Sequence, residues 1–507
     1  MPEPTPEVPM NIQTTTPKQQ VDAEVLIVGT GFSGLGLAVI LEREGNRDYL
    51  MLERGQDVGG TWRDNHYPGA GCDVFSHLYS YSFRPNPNWS RTYSKQPEIL
   101  KYLQDTAEDE GIYPKVRFGT TVTRAEWIEA EDLWQVETTT GTYRARALVS
   151  ATGHLSDLAM PDIEGLDSFT GKMMHSSQWD HDYDYTGKRV GIIGTGASSI
   201  QIAPEIAPDV SHLTVFQRTA PYIVPRRDAP YSEAQKGMFA RFPEMLQDFR
   251  KELFWGNESR FPQRLQIPAF LAQIEEMSRG HLEDQVADPA LREKLTPPYS
   301  VGCKRILISN DYYPAIQREN VTLETTGIDR IDETGVVLTD GTHVALDMLI
   351  LATGFEATEL PIAEVIHGKT GRLSDQWQDG GQAYACTTVH GYPNFFMMLG
   401  PNTGLGAGSM IYMVETQIEY IRGALQYLFE GDKVIEPDRE AQAAYVKSIH
   451  DRAERTVWIA GGCQSWYLHP RSGKLTAIWP DYMSQFRKEN GTFATKGYMV
   501  RDATVPA

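Results

Sequence analysis

The sequence predicts an α/β fold built from two strand–turn–helix–strand units with a helical insertion. Two glycine-rich turns carry this prediction, and they read Gly29-Thr-Gly31-Phe-Ser-Gly34 and Gly194-Thr-Gly196-Ala-Ser-Ser199. Each turn follows an apolar run and precedes a helical pattern and a second apolar strand. With 507 residues the chain is also too long for one ordinary core. We therefore expect two or three domains.

The first unit consists of a strand, a helix and a second strand, at residues 24–28, 35–44 and 48–52. Gly29 makes the tight turn, Gly31 lets the backbone approach a pyrophosphate, and Gly34 allows close helix packing. Glu53 stands 19 residues after Gly34, where a carboxylate accepts hydrogen bonds from both ribose hydroxyls. This Rossmann-like half is predicted to bind FAD or NAD rather than a dinucleotide with a 2′-phosphate.

The second unit repeats this architecture at residues 189–193, 199–206 and 213–216. Ser199 replaces the third glycine and is small enough to do so. Arg218 stands 19 residues after Ser199, so that a cation replaces the acid. A bidentate guanidinium contact to a ribose 2′-phosphate would select NADP. The alternative is a surface arginine at a strand end.

The remaining chain predicts discontinuous domains. Apolar strands at residues 148–153 and 349–354 both end in Ala-Thr-Gly and return to the nucleotide sheets. Helical patterns at 233–252 and 270–281 indicate the inserted helical subdomain. A further helix at 410–429 either packs in the core or contacts a cofactor. The predicted division is an arm at 1–20, an FAD domain at 21–165 and 355–507, an NADP domain at 166–225 and 301–354, and an insertion at 226–300.

Composition limits the partners. A formal net charge of −20 disfavours nucleic acid, which requires clustered lysine and arginine. No apolar run approaches the roughly 20 residues that span a bilayer, and residues 1–20 lack the regions of a signal peptide. We expect a cytoplasmic protein with no membrane partner. The composition of residues 1–20 is typical of a disordered arm.

The four cysteines are scattered along the chain at Cys72, Cys303, Cys386 and Cys463. No two of them have the spacing of a metal site or of a redox-active pair. We expect free thiols in a reducing compartment and no metal site. Flavin disulfide reductases also use tandem Rossmann units, but they need a redox-active cysteine pair. Because the sequence has no such pair, it disfavours this class.

A stretch between the two units reads Phe169-Thr-Gly171-Lys-Met-Met-His175-Ser-Ser-Gln-Trp179-Asp180. It resembles the FxGxxxHxxxW(P/D) fingerprint of the type I Baeyer-Villiger monooxygenases, and the resemblance covers residues 22–485. Further matches are Gly59-Gly-Thr-Trp62, Tyr67-Pro-Gly-Ala-Gly-Cys72-Asp73, Tyr79-Ser-Tyr-Ser, Phe216-Gln-Arg-Thr219, Lys304-Arg305 and Asp311-Tyr-Tyr313.

The resemblance implies FAD in the first domain, NADPH in the second and an active site between them. In this family NADPH reduces FAD, and a C4a-peroxyflavin formed with O2 inserts one oxygen atom next to a ketone carbonyl to give an ester or lactone. Such a site needs a positive charge in a dry pocket. By resemblance Arg305 is this catalytic cation and Asp73 its acidic partner. Lys304, Arg218 and Thr219 would hold the 2′-phosphate, although Lys304 and Arg305 could also be a solvated pair.

Cofactor contacts are further expected from the motifs and the resemblance. In the first domain they are Gly29, Gly31, Phe32, Ser33, Gly34, Glu53, Arg54, Gly60, Thr61, Trp62, Asp73, Tyr79, Val122 and Met410. In the second they are Gly194, Thr195, Gly196, Ala197, Ser198, Ser199, Gln201, Arg218, Thr219 and Lys304. His175 is interpreted as a structural residue that holds a linker by hydrogen bonds. Trp466 is placed by resemblance on a mobile active-site loop that touches substrate or nicotinamide.

Two departures from the family pattern are Gly71, where arginine is usual, and Asp180 in place of proline. The expected partners are O2 and a small ketone, with a sulfide as the other possibility, in a monomer or homodimer. Two alternative functions stay open at this point. One is a heteroatom monooxygenase for sulfides or amines, and the other is an NADPH oxidase or redox sensor that has lost oxygenation.

Overall fold

A computed structural model describes residues 21–46, 48–462 and 465–504 of the chain. The predicted arm at residues 1–20 and Cys463 lie outside the described residues. The strands, in chain order, are β1 (Ala23–Val28), β2 (Tyr49–Leu52), β3 (Val116–Arg117), β4 (Val122–Ile128), β5 (Leu133–Thr138), β6 (Gly141–Ser150), β7 (Lys172–His175), β8 (Arg189–Ile193), β9 (His212–Phe216), β10 (Ile223–Val224), β11 (Leu307–Ile308), β12 (Val321–Glu324), β13 (Ile328–Asp332), β14 (Gly335–Leu338), β15 (His343–Ala345), β16 (Met348–Leu351), β17 (Ile366–Gly368), β18 (Gly371–Arg372), β19 (Phe395–Met397), β20 (Lys433–Pro437) and β21 (Tyr498–Asp502).

The α-helices follow the same order. They are α1 (Phe32–Arg43), α2 (Thr61–Asp64), α3 (Gln96–Asp109), α4 (Ala197–Ile206), α5 (Glu233–Arg241), α6 (Pro243–Glu258), α7 (Pro268–Gln285), α8 (Pro289–Leu295), α9 (Tyr312–Ile316), α10 (Leu373–Gln376), α11 (Met410–Glu430), α12 (Arg439–Ala453), α13 (Val457–Ala460) and α14 (Met483–Asn490).

The first sheet has the order β18-β17-β4-β5-β6-β1-β2-β3, and β19 also pairs with β6. Its centre is parallel, because β1 pairs in parallel with both β2 and β6. The antiparallel hairpin β4-β5-β6 extends the sheet on one side. Strands from both ends of the chain thus complete one sheet, which is how a discontinuous domain forms.

The second sheet, β12-β9-β8-β16-β7, is parallel throughout. Its strand β16 follows the segment 226–300 in sequence and returns between β7 and β8. Parallel strands joined through helices give the α/β class that the sequence predicts, and this prediction is confirmed. The predicted domain boundaries stay predictions.

The segment 226–300 contains the helices α5 to α8. The sequence pattern predicts one helix over residues 233–252, whereas the structure has α5 and α6 with a break at Phe242. Pro243 explains the break, since it lacks the N–H that an unbroken helix needs and favours the first helical position. Pro243 is therefore the first residue of α6 and ends the continuity with α5.

The first core lies between β1, α1 and α11. Helix α11 buries Ile411, Val414, Ile418 and Ile421, which share one helical face. A Cβ on Gly36 of α1 would come within 2.9 Å of the Ile418 Cδ1 atom. The two helices therefore approach closely because α1 has no side chain there.

The thiols differ from the sequence expectation. Cys72 and Cys386 are free and buried, but Cys303, which was expected to be free, is disulfide-bonded. The expectation rested on sequence spacing, which does not detect sulfurs that folding brings together. Among the residues that the structure describes, no helix has the length and apolar character needed to cross a bilayer.

Candidate active site

A cavity of about 330 Å³ opens beside the first glycine turn. The residues predicted to contact FAD line it, with the exceptions of Gly34 and Asp73. Those at its wall are Gly29, Gly31, Phe32, Ser33, Glu53, Arg54, Gly60, Thr61, Trp62, Tyr79, Val122 and Met410. They come from both ends of the chain, so the fold assembles one pocket from residues far apart in sequence.

The first turn needs its glycines for different reasons. Gly29 has φ +104°, and a Cβ there would lie 2.7 Å from the Ala151 carbonyl oxygen. A Cβ on Gly34 would lie 2.0 Å from the Gly29 oxygen, so Gly34 acts in packing rather than at the cavity wall. Gly31 precedes α1, whose N-terminus has no side-chain cap. The first-turn N–H groups of α1 are thus suited to a pyrophosphate.

Glu53 is buried and held by four donors. Its Oε2 accepts from the Thr30 amide at 3.1 Å and the Thr30 hydroxyl at 2.6 Å. Its Oε1 accepts from the Gly55 amide at 2.6 Å and pairs with Arg63 Nη1 at 2.8 Å. These contacts fix a carboxylate at the cavity wall. The carboxylate position was predicted, whereas Thr30 and Arg63 were not.

Aromatic side chains form another part of the wall. The Trp62 indole Nε1 donates to the Tyr79 hydroxyl at 3.2 Å, and Phe32 meets Tyr79 edge-on with centroids 5.3 Å apart. Burial raises the pKa of Tyr79, and the charges of Asp73 and Arg305 also act on it. This places the predicted catalytic pair next to the cavity.

The second glycine turn has a similar backbone and more open surroundings. Gly194 has φ +109°, and a Cβ there would lie 2.6 Å from the Ala352 oxygen. A Cβ on Gly196 would meet nothing within 4 Å, and the N-terminus of α4 has no side-chain cap. The space that a Cβ would fill is thus available to a ligand phosphate.

The second turn is joined to the end of β9 by a hydrogen bond, in which the Thr195 hydroxyl donates to the Thr219 carbonyl at 3.0 Å. Arg218 beside it is exposed. The pKa of Lys304 is lowered, first by burial and then by the charge of Arg218, so the two cations lie close together. Within the described parts of the chain neither has a carboxylate partner. Two such cations form a site for an anion.

The residues after Gly196 have different roles. Ala197 and Ser198 begin α4, while the Ser199 side chain is fully buried. Gln201 donates from Nε2 to the Gly71 carbonyl at 3.0 Å and accepts from the Tyr67 hydroxyl at 3.0 Å, and its predicted contact with the cofactor stays a prediction. Gln201 thus joins the two nucleotide domains at the position where Gly71 departs from the family pattern.

Arg305 and Asp73 form a bidentate ion pair across the domains. Arg305 Nε lies 2.9 Å from Asp73 Oδ2, and Nη2 lies 2.6 Å from Oδ1. The Asp73 carboxylate raises the pKa of the Arg305 guanidinium still further. The Arg305 side chain is 46% exposed, so it keeps donors that Asp73 does not use.

Arg226, at the start of the insertion, supports this pair. Its Nη2 donates to the Cys72 carbonyl at 3.1 Å, and its guanidinium lies 5.1 Å from the centre of the Tyr93 ring. It also lies 3.7 Å from Asp228. Sequence reasoning missed Arg226, because nothing in the local pattern links it to a residue so far upstream.

His175 ends β7 and is buried. Its Nδ1 accepts from the Ser177 amide at 3.2 Å, and its Nε2 lies 3.1 Å from the Gly354 carbonyl. Burial lowers the pKa of His175, so the neutral form is favoured. These contacts agree with the structural interpretation of His175, which stays a prediction. Trp179 of the same segment is buried in the core of the second domain.

Trp466 is 44% exposed, and its carbonyl accepts from the Thr358 hydroxyl at 2.6 Å. Its ring lies 4.5 Å from that of Tyr467, which is buried. Arg305 and Arg264 act electrostatically on the Tyr467 hydroxyl. Trp466 therefore lies next to Tyr467, which is near Arg305 and Arg264. Its contact with substrate stays a prediction.

Comparison with known proteins identifies the class. The family model of pyridine nucleotide-disulphide oxidoreductases matches residues 26–232, a stretch whose one cysteine, Cys72, is free. The chain is 44% identical over 485 residues to a Baeyer-Villiger monooxygenase of Streptomyces coelicolor, covering 94% of this chain and 92% of that one. It is 43% identical over 486 residues to a Baeyer-Villiger monooxygenase of Pseudomonas aeruginosa, covering 95% and 92%.

Solved structures agree. Cyclohexanone monooxygenase from Rhodococcus sp. Phi1, bound to NADP+, superposes with a TM-score of 0.86 at 29% identity and covers 95% of this chain and 100% of that one. A steroid monooxygenase bound to NADP gives 0.83 at 33% identity, with 95% and 99% covered. Fold and site together define a flavoprotein monooxygenase with two dinucleotide sites. The chain belongs to the Baeyer-Villiger monooxygenases.

Proposed function

We propose that this enzyme inserts one oxygen atom from O2 next to the carbonyl of a small ketone, giving an ester or lactone, with FAD and NADPH as cofactors. The observation that carries the proposal is the bidentate Arg305–Asp73 pair beside the cavity. FAD, when bound, supplies the redox chemistry and the activation of oxygen. The chain's own residues bind the two dinucleotides and stabilise the negative charge that forms on oxygen.

The first turn and its cavity fit FAD. The uncapped N-terminus of α1 receives the pyrophosphate, and Glu53 accepts from the ribose. Trp62, Tyr79 and Met410 also line the cavity, and their apolar surfaces would exclude water from the ring system of the bound flavin. The buried carboxylate of Glu53 disfavours a 2′-phosphate in this half, because the two negative charges would repel each other.

The second turn fits NADPH. Its pyrophosphate takes the open space beside Gly196 at the N-terminus of α4. Arg218 and Lys304 hold the 2′-phosphate, because two neighbouring cations with no carboxylate partner in the described chain are best neutralised by a dianion. Thr195 and Thr219 keep the turn next to these cations.

Arg305 acts on the oxygen atoms that become negative during the reaction. Its charge persists at every working pH, and Asp73 orients the guanidinium through two donors while leaving others free. By analogy with lost oxyanion-hole donors, removing this cation costs about 3 kcal/mol of transition-state stabilisation.

The experiment follows NADPH loss, oxygen consumption and products by mass with cyclic, linear and aryl ketones and one thioether. Cyclic ketones are included because structural neighbours are cyclohexanone and steroid monooxygenases. Ester or lactone in proportion to NADPH is expected, with Arg305→Ala lowering it by about a hundredfold or more. Arg227→Ala, at an exposed neighbour of Arg226, is the matched control.

Two outcomes would overturn the proposal. Sulfoxide without ester would indicate a heteroatom monooxygenase, and hydrogen peroxide as the only product would indicate an oxidase. The cytoplasmic location and the monomeric or homodimeric state stay predictions.

A further inference from the structure

A buried guanidinium lies near Arg305 and, among the residues that the structure describes, has no carboxylate partner. Arg264 belongs to the 3₁₀ helix Phe261–Leu265 of the insertion and is 5% exposed. Its Nη2 donates to the Gly406 carbonyl at 2.8 Å, and its Nη1 lies 3.4 Å from Gln263 Oε1. Its Nε has no hydrogen-bond partner among the residues described. Burying an unpaired cation is costly, so its retention calls for a physical reason.

The guanidinium packs directly against two glycines. A Cβ on Gly302 would lie 3.2 Å from Arg264 Nη1, and one on Gly406 would lie 3.1 Å from Nε. Gly302 has φ +85° and precedes Lys304 and Arg305 by only two and three positions. Arg264 therefore contacts the backbone turn that immediately precedes both predicted site cations.

Gly406 connects the same guanidinium to the first domain. It lies in the segment just before α11, whose first residue, Met410, lines the cavity. Trp458 joins both turns, because its Nε1 donates to the Gly302 carbonyl at 3.1 Å and a Cβ on Gly406 would lie 2.4 Å from its ring. Arg264 and Trp458 thus fill the space between the two turns.

Electrostatic interactions indicate that Arg264 lies near Arg305 and Tyr467. Burial lowers its pKa to about 10, and the nearby charge of Arg305 acts in the same direction. Arg264 still carries its charge at neutral pH. Both arginines also lower the pKa of Tyr467 against the effect of burial, so the three side chains lie near one another.

We propose that Arg264 is a positioning residue for oxygen transfer, which holds the Gly302 turn against the Gly406 segment and so fixes where the Arg305 guanidinium stands. This inference rests on the proposed function of Arg305. The insertion then takes part in the active site through one side chain, and the separation of the two turns depends on a rigid, planar cation that donates to a carbonyl. A lysine reaches one carbonyl but lacks the planar group that packs against both glycines.

The test compares Arg264→Gln and Arg264→Lys with Arg260→Gln, which removes an exposed cation from the same segment. We expect Arg264→Gln to keep its flavin content and its KM for NADPH while its yield of ester per NADPH falls about tenfold, because small displacements of a reacting group have effects of this size. The lost ester should appear as hydrogen peroxide. Arg264→Lys should recover part of the yield, and Arg260→Gln should behave as the unsubstituted enzyme.

Hydrogen exchange gives a second readout that does not depend on turnover. Backbone amides at 301–307 and 404–410 should exchange faster in Arg264→Gln than in Arg260→Gln. Unchanged product partition or unchanged exchange at these two turns would overturn the proposal. A parallel loss of flavin, NADPH affinity and ester would also overturn it, since that pattern shows a general folding defect. If the unsubstituted enzyme forms no ester from any ketone, the proposed function fails, whereas the exchange data still decide whether Arg264 holds the turns.

Discussion

The two glycine turns share a backbone but differ in what surrounds them. Gly29 and Gly194 have φ values of +104° and +109°, and a Cβ on either would collide with the carbonyl of a neighbouring strand end. Glu53 after the first unit is buried among four donors. Arg218 after the second is exposed and, in the described chain, has no carboxylate partner.

This difference indicates that the first turn suits a ligand that stays bound, whereas the second suits a ligand that exchanges. The first turn opens into a walled cavity with a preformed acceptor, which suits a cofactor that stays bound. The second presents open space at Gly196 and two cations that have no carboxylate partner among the described residues, which suits a cosubstrate that binds and leaves with each turnover. The same local architecture thus serves two roles, and the side chains at strand ends decide which.

The largest loss of stability should follow a substitution at the third position of the first turn. This position is Gly34 in the first half and Ser199 in the second. Gly34→Ser places a Cβ 2.0 Å from the Gly29 oxygen, which should destabilise the protein by about 3 kcal/mol or more and release FAD. Flavin absorbance and thermal unfolding measure this. Ser199→Gly is the matched change in the second half and should keep FAD. A Gly34→Ser protein that keeps its flavin absorbance and its thermal stability would contradict this prediction, because the turn would then accommodate the added side chain.

A smaller effect is expected when a cation of the second turn is removed. This change should weaken NADPH binding without affecting FAD in the first half. Arg218→Ala should raise KM for NADPH by about 10- to 100-fold, as expected for losing a charge-assisted contact worth about 1.5–3 kcal/mol. KM for NADH and flavin content should not change. Steady-state kinetics with both nucleotides decides this, and an equal loss for NADH would place Arg218 away from the 2′-phosphate.

The smallest effect is a loss of folding stability as the pH falls. Burial lowers the pKa of His77 to about 4 and also lowers that of His175, one residue in each half. An unfolded histidine takes up a proton near pH 6.5, so the unfolded state binds protons first as pH falls. Stability from both residues is complete above pH 6.5 and declines below it. Thermal unfolding against pH should show this decline, and His77→Phe, placed among Tyr231, Phe239 and Phe249, should make it shallower. An unchanged slope in His77→Phe would contradict this assignment.

Much of the site could be predicted because its signals are local or belong to the family pattern. The opposite charges of Glu53 and Arg218 follow from their spacing after each turn, and Arg305 and Asp73 follow from the resemblance. Arg63 stands next to the matched motif that ends at Trp62, so a closer look at that position could have found it. Arg226 and Arg264 gave no such signal, since each acts on backbone far away in sequence.

The sequence by itself determined the two strand–turn–helix–strand units, because hydrophobic period and glycine conformation act over a few residues. Only the tertiary structure decided which distant groups meet. Asp73 and Arg305 lie 232 positions apart, and Arg264 and Gly406 lie 142 apart. Such contacts form only when packed sheets and helices fix both backbones, and side-chain distances of 3 Å or less depend on that packing rather than on any local pattern.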